Sequence, residues 1–351
     1  MGALRVLGIM ADQGGCGNYR VKHPLLKVGA ADLGLEVTLD EGKDTHVEIR
    51  VDDGAVQAVT HLGVPVHEKF DVVHLQRVAS RRGINTIDYL QRRGVAVTVD
   101  YDDALWCIPP DNAAYPAYNH LGSPTHWRFA AIAADLADWV TTSTEALHRV
   151  YARHLRGSVI RNTIPAEFVY PAKQGVPMTI GWSGWLSTHP RDLDKVGEYV
   201  RDSGLRLCVV GDYAAVARKW QMEAGGVGSQ TYGHAYFKAL RKIDIAVVPL
   251  HDSAFNRAKS WLKAMEFSAA GCRVVAQDTF EMRQLAKLIP SVTLVNDKRE
   301  WRNRIADHAA EAELVCEFPV ELTTQAYTHR WAKAWRSAYE RRQTLRKGKR
   351  L

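Results

Sequence analysis

Residues 246–275 read AVVPLHDSAFNRAKSWLKAMEFSAAGCRVV. An apolar run that begins at Ile243 closes at Pro249, a loop follows, and a helical pattern leads through Gly271 to a second β-branched run at Arg273–Ala276. Runs apolar nearly throughout, joined through a helix, are the mark of parallel strands buried on both faces. Asn256 is a good N-cap residue, so a helix is expected to start near it, with Arg257 and Lys259 in its first turn. Cations there oppose the helix dipole. Two of them, together with the free N–H groups, invite an anion such as a diphosphate. Lys259, Lys263 and Glu266 lie at i, i+4 and i+7 and share a face. Glu266, two turns on, is placed to accept hydrogen bonds from ribose hydroxyls. The competing reading is an exposed charged face of an ordinary helix.

The same alternation extends in both directions. Strands are expected at Leu4–Met10, Leu35–Leu39, Val72–Gln76, Val95–Val99, Trp139–Thr142 and Val159–Arg161, then at Met178–Trp182, Arg206–Val210, Ile243–Pro249, Arg273–Ala276 and Val292–Val295. Helical stretches such as Thr144–Arg156 and Asp192–Ser203 separate them. Such a pattern predicts doubly wound α/β domains. His46–Thr60 differs: two short alternating runs flank Asp52-Asp53-Gly54, a hairpin signal inserted in the first domain. Asn162–Pro177, with Pro165, Pro171, Gly175 and Pro177, lacks periodicity and reads as a linker. The expected domains are 1–165, 166–325, and a C-terminal segment 326–351 whose helix packs back. Two facing α/β domains make the cleft between them the expected active site, at the carboxyl ends of the strands. Trp331, Trp335 and Tyr339 stand at i, i+4 and i+8, so the last helix is expected to dock on an apolar surface.

The 351 residues, 46% hydrophobic and 24% charged, fit a globular protein of two domains. No apolar run reaches the roughly 18–20 residues of a transmembrane helix. MGALRVLGIM reads as a first buried strand and not as a signal peptide. Cys16, Cys107, Cys208, Cys272 and Cys316 are odd in number and never form C-x-x-C, which speaks against disulfides or zinc and for a cytoplasmic location. The net charge of +7 is concentrated in the tail RRQTLRKGKRL, residues 341–351. Taking its six basic residues from the total of 46 leaves 40 against 39 acids, a net of +1. Such a tail is either a contact for nucleic acid or an anionic membrane, or a solvated end.

Two more segments carry candidate chemistry. DQGGCGNYR, residues 12–20, is a glycine-rich turn after the first strand. It admits a phosphate or sugar against backbone N–H groups, with Gly15, Gly17 and Arg20 as candidates, or is a plain tight turn. It matches neither G-x-G-x-x-G nor the P-loop, so no dinucleotide or ATP site follows. VDYDDALW, residues 99–106, packs three acids at a strand's end. Clustered acids there suggest a general base, an acceptor clamp or a divalent metal site; acceptor binding or proton handling by Asp100, Asp102 or Asp103 is favoured, with capping and turn roles as the alternative. His74, His120, His126 and His189 are further candidates, His189 foremost.

F-N-x-x-K-S-x-L-K-x-x-E-x-x-A-x-G over residues 255–271, followed by R-V-V-A, resembles the nucleotide-sugar motif of the large retaining GT-B glycosyltransferase family. TTSTEALHRVYARH with VIRNTIP, IGWSGWLSTHPRDL, LRLCVVGD and DIAVVPL follow that family's order, and the resemblance spans about residues 1–340. It implies an α/β GT-B fold, two Rossmann-like doubly wound domains facing across a cleft. The implied donor is a UDP-, GDP- or ADP-sugar, with no metal strictly required. The donor ribose would rest on Glu266, and Lys259 and Ser260 would serve the phosphate or sugar. The family's other glutamate is replaced by Ala258. Gly181, Ser183 and Gly184 would let the backbone approach the donor. Trp182 stands where the family's loop has arginine, and Arg191 is the nearest basic substitute. The implied reaction transfers a sugar, with retention, to an acceptor hydroxyl on a glycan, lipid, protein or modified DNA base. Bacterial and phage enzymes of this kind serve all four. An epimerase of the same fold, or an inactive binding scaffold, would share these features.

Overall fold

The computed structural model of the chain describes residues 2–41, 46–119, 126–228, 232–312 and 317–348. His120, Cys316 and the last three residues of the basic tail lie outside the described residues. The chain divides into two compact units. One comprises Met1–Ile108, Tyr115–Asn162 and Thr324–Leu351; the other comprises Pro109–Ala114 and Thr163–Thr323.

The first unit is built on strands β1 (Leu4–Ile9), β2 (Leu35–Asp40), β6 (Val72–Gln76), β7 (Ala96–Tyr101), β8 (Trp139–Thr142) and β9 (Gly157–Val159). They form one parallel sheet in the order β2-β1-β6-β7-β8-β9. Sheet order reverses between β1 and β6, so their carboxyl ends flank a switch point. The predicted hairpin is present as β3 (Val47–Asp52), β4 (Ala55–His61) and β5 (Val64–Pro65), a separate antiparallel sheet. Its turn residues Asp53 and Gly54 both have positive φ, +44° and +75°, as a type I′ turn demands. Helices α1 (His23–Ala30), α2 (Arg81–Arg92), α3 (His126–Leu136) and α4 (Glu145–Tyr151) connect the strands. Ser80 and Thr144 cap α2 and α4 through their hydroxyls.

The C-terminal helix, Thr324–Gly348, belongs to this first unit. Trp331 and Trp335 are fully buried against Val6, Leu25, Val28 and Val72, with Tyr339 at the rim. The helix runs on through most of the basic tail, where Arg342 pairs with the buried Asp138 at 2.7 Å. As far as Gly348, then, the tail is helical and not frayed, anchored through Arg342 and exposed from Thr344 on.

His74 on β6 sits beneath the two tryptophans, 5.5 and 5.9 Å from their rings. Its Nε2 faces the Arg20 carbonyl oxygen at 3.4 Å, which can only accept, and its Nδ1 meets the Thr98 hydroxyl at 2.7 Å. Both contacts suit the neutral ring with hydrogen on Nε2. Burial is the main cause that lowers its pKa to about 4 from 6.5. Because the folded value is depressed, stability is complete above pH 6.5 and falls as acid protonates the unfolded chain first. The loss should reach about 3 kcal/mol by pH 4. Urea melts across this window should show the slope in the native protein and a flatter one in His74→Gln. Equal slopes would remove His74 as the cause.

The second unit repeats the plan with β10 (Thr179–Gly184), β11 (Arg206–Gly211), β12 (Ala224–Val227), β13 (Ile245–Val248), β14 (Arg273–Gln277) and β15 (Val292–Val295), parallel in the order β12-β11-β10-β13-β14-β15. Its core includes Trp182, Val196, Val209, Trp220, Val247 and Trp301. The helices used below are α5 (His234–Leu240), α6 (Ala254–Arg257) and α7 (Leu262–Ala269). Two six-stranded parallel sheets with connecting helices are two Rossmann-like domains, as the sequence pattern requires.

Several expectations are corrected. The strand expected at Val159–Arg161 is Gly157–Val159: the Ile160 N–H still bonds the Thr142 carbonyl, but the Ile160 carbonyl and the Asn162 side chain accept from Arg20. Edge strand β12 reads Ala-Gly-Gly-Val, and its glycines hide it from a strand pattern. The helix expected over Thr144–Arg156 stops at Tyr151, and the one expected from Asp192 starts only at Gly197. No helix among the described residues is long and apolar enough to cross a membrane.

Candidate active site

The stretch after β13 departs from its sequence reading in an informative way. Ser253, not Asn256, is the cap: its hydroxyl accepts from the Asn256 N–H at 3.1 Å and starts the single turn α6. The chain then bends through Ala258–Trp261, and α7 begins at Leu262. Arg257 and Lys259 therefore do not share a first turn. Arg257 is exposed and paired with Asp252. Lys259 and Ser260 occupy the bend, with the Lys259 ammonium 4.6 Å from the Phe255 ring centre.

Glu266 lies on α7, 3% exposed, inside a polar cluster. Its Oε2 accepts from Lys263 Nζ at 2.8 Å and from the Tyr236 hydroxyl at 2.9 Å. Lys263 Nζ also donates to the Tyr236 oxygen at 3.0 Å, and the Ser183 hydroxyl is 3.0 Å from that oxygen. Burial works against the Lys263 ammonium, but the Glu266 carboxylate outweighs it and holds its pKa above the ordinary value. Burial first, and Glu266 second, push Tyr236 up to about 12. The cluster thus carries a fixed ammonium and a fixed phenol around one carboxylate. Lys263 was legible three residues from Glu266. Tyr236 comes from α5, and no local pattern announced it.

A second network adjoins it. His189 Nδ1 is 2.7 Å from Asp192 Oδ2. Asp192 Oδ1 accepts from the His251 N–H at 2.8 Å and from Asn256 Nδ2 at 2.6 Å, so one carboxylate ties the 189–192 loop to the 251–256 loop. Burial lowers the pKa of His189, and the nearby charge of Lys259 adds to it, which places Lys259 beside this pair. Burial would raise the Asp192 pKa, but the bond from His189 and the His251 N–H outweigh it and lower it. Arg191 is exposed and helps line a cavity of about 380 Å³ with Asn112, His189, Asp192, Ser253 and Asn256.

The glycine-rich end of β10 serves packing as much as approach. A Cβ on Gly181 would lie 1.8 Å from the Cys208 carbonyl oxygen, so Gly181 allows β10 and β11 to pair. Trp182 is a core residue, 4% exposed. Gly184 has φ +150° and stands next to Gly211, where the chain leaves both strands. Ser183 alone of the four offers a side chain to the polar cluster.

In the first unit, the acid cluster splits. Asp100 is completely buried and takes Arg20 in a two-pronged pair, Nε at 3.0 Å and Nη2 at 2.7 Å, plus the Thr141 hydroxyl at 2.6 Å. Arg20 also donates to the Ile160 carbonyl and Asn162 and lies 5.0 Å from the Trp331 ring centre. Both groups are thus bound within the protein, which corrects their reading as an acceptor acid and a phosphate ligand. Gly15 and Gly17 precede them in a helical run that includes a π-helical segment, Asn18–Lys22. The nest expected there is filled by the chain itself: Asp12 Oδ1 accepts from Gly14 N at 2.8 Å and Gly17 N at 3.4 Å.

Asp102 and Asp103 gather instead with Cys16, their ligating atoms within 4.8 Å of one another. Arg77, at φ +49° at the end of β6, reaches Asp12 at 3.1 Å and Asp102 at 3.4 Å. Burial would raise Asp102, but the Arg77 charge and then the Cys16 hydrogen bond outweigh it and lower its pKa. Burial and the charge of Asp102 push the Cys16 thiol well up, so it stays protonated. A left-handed arginine at a switch point is strained backbone of the kind found at functional sites. Nothing in the sequence around Arg77 signals it.

No family model matches the chain, and no curated protein matches it by sequence. Solved structures do. AviGT4, a glycosyltransferase involved in avilamycin A biosynthesis, superposes with a TM-score of 0.57 at 12% identity, over 96% of this chain and 98% of its own. HepE from Anabaena, solved with UDP and glucose, gives 0.55 at 12% over 98% and 99%. Sucrose-phosphate synthase from Thermosynechococcus elongatus gives 0.52 at 15% over 97% and 94%. The fold is that of the GT-B glycosyltransferases, over nearly the whole chain.

Proposed function

We propose that the protein is a glycosyltransferase that moves a sugar from a nucleoside-diphosphate sugar to an acceptor hydroxyl. The observation that carries this reading is Glu266, held by Lys263 and Tyr236 at the carboxyl end of a Rossmann-like sheet, with Lys259 on the loop before α7. A carboxylate fixed by a cation and a phenol is pre-organised to accept from the ribose hydroxyls. Lys259 neutralises the departing diphosphate, so no metal is needed for that task. Ser183 and the Gly184 backbone adjoin the phosphates, and His189, oriented by Asp192, hydrogen-bonds the donor through Nε2. Asp102 and Asp103, set by Arg77, handle the acceptor hydroxyl. The donor is a UDP-, GDP- or ADP-sugar, transfer proceeds with retention, and the protein works in the cytoplasm. The acceptor is a glycan, lipid, protein or modified DNA base.

A panel of UDP-, GDP- and ADP-sugars tests this. Slow donor hydrolysis supports a transferase, isomerised sugar an epimerase, and binding without turnover an inactive scaffold, which the alanine at position 258 would suit. Glu266→Gln should weaken nucleotide binding roughly 10- to 100-fold in calorimetry, because a hydrogen bond to a charged group contributes about 1.5–3 kcal/mol. Unchanged affinity in a folded Glu266→Gln protein would refute the ribose assignment.

A further inference from the structure

The amino-terminal edge of the first sheet, opposite the edge with Asp102 and Asp103, carries a basic surface studded with exposed leucines. After α4 the chain turns so that Leu155 has φ +57° and is 89% exposed. A leucine is poorly suited to both conditions, since left-handed backbone favours glycine and asparagine and water disfavours its side chain. The residues beside it bind the end of α3. Arg153 and His154 reach Asp135 at 3.4 and 3.5 Å, and Arg156 donates to the Asp135 carbonyl at 2.7 Å. On α3, Ile132 and Leu136 are exposed at i and i+4. Gln91 donates to the Leu136 carbonyl at 2.8 Å, which brings up the exposed Arg93.

The C-terminal helix completes the surface. Arg342 anchors it on Asp138, Arg346 lies against Gly94, and Leu345 is exposed between them. Arg341 approaches Arg156 closely enough that burial and its charge together lower the Arg156 pKa. Among the described residues, Arg93, Arg156, Arg341, Arg346 and Lys347 have no carboxylate ion partner. The two acids nearest Arg156 and Arg342, Asp135 and Asp138, are already paired.

We propose that this surface docks the protein on an anionic membrane. Leu155, Leu136 and Leu345 enter the headgroup boundary, and the unpaired arginines meet lipid phosphates. Exposed aliphatic side chains amid cations are the makeup of interfacial binding. A nucleic acid would use the cations but leave the leucines in water, since its interfaces are polar and wet.

Co-sedimentation with vesicles tests it on the full chain. Vesicles of phosphatidylcholine with an equal part of phosphatidylglycerol should bind the protein at low salt and release it at high salt, and pure phosphatidylcholine should bind far less. Lys347→Ala should reduce binding about fivefold. Leu155→Asp should reduce it at least as much with an unchanged melting temperature, since aspartate tolerates left-handed backbone. No binding to the anionic vesicles would overturn the proposal. So would a Leu155→Asp protein that binds as well as the native one, or duplex DNA held more tightly than vesicles by both.

Discussion

Lys259→Ala is expected to fold normally and to turn over its donor roughly 10²–10³-fold more slowly, the usual effect of removing one group that stabilises charge in a transition state. The fold is expected to survive because Lys259 lies in the bend between α6 and α7, only partly buried, with its ammonium over the Phe255 ring. Truncation there strands no buried partner. Catalysis is expected to suffer because the same ammonium bears on both His189 and Asp192 and is the cation of the α6–α7 bend not engaged by an acid. Arg257, by contrast, is exposed and paired with Asp252, so Arg257→Ala should change turnover little. Steady-state rates with the best donor of the panel, read beside a thermal melt, decide the matter. A Lys259→Ala enzyme as fast as the native one would end the diphosphate assignment.

Asp100→Ala should be the most damaging single change to stability. Asp100 and Arg20 are 0% and 1% exposed, and they satisfy one another through two hydrogen bonds. Removing the carboxylate leaves a guanidinium buried without a counter-charge, at a cost of about 3–5 kcal/mol. A domain is stable by only about 5–15 kcal/mol, so much of the variant should be unfolded or insoluble at modest urea. Arg20→Met with Asp100→Leu should recover much of the loss, since apolar replacements of buried pairs are often neutral. A stable but inactive Asp100→Ala protein would instead restore Asp100 to the chemistry, as the sequence alone suggested.

That contrast marks where sequence reading reached its limit. Alternating apolar runs and helices led to both sheets, because parallel strands buried on two faces must be apolar, and to the docked tryptophan face of the last helix. The hairpin followed from Asp53-Gly54. Three kinds of residue escaped. Edge strand β12 is built on glycines. Tyr236 and Arg77 act through partners far away in the chain. Asp100, Asp102 and Asp103 look alike in sequence but differ in what faces them: Arg20 closes on the first, while Arg77 and Cys16 leave the other two at the strand's end. The α6 cap is ambiguous for a local reason, since Ser253 and Asn256 are both good caps and the Asn256 side chain is held by Asp192 instead.

The chain's last helix walls the core of its first unit, and this has a bearing on synthesis. Val6, Leu25 and Val72 leave the ribosome before the whole second unit, yet the tryptophans that cover them follow that unit. The second unit, whose sheet strands are all complete by Val295, has its sheet in hand before then. The nascent amino-terminal half must therefore wait with an uncovered apolar flank, a natural client for a holding chaperone, and a ribosome that stalls before Thr324 would release a polypeptide unable to finish it.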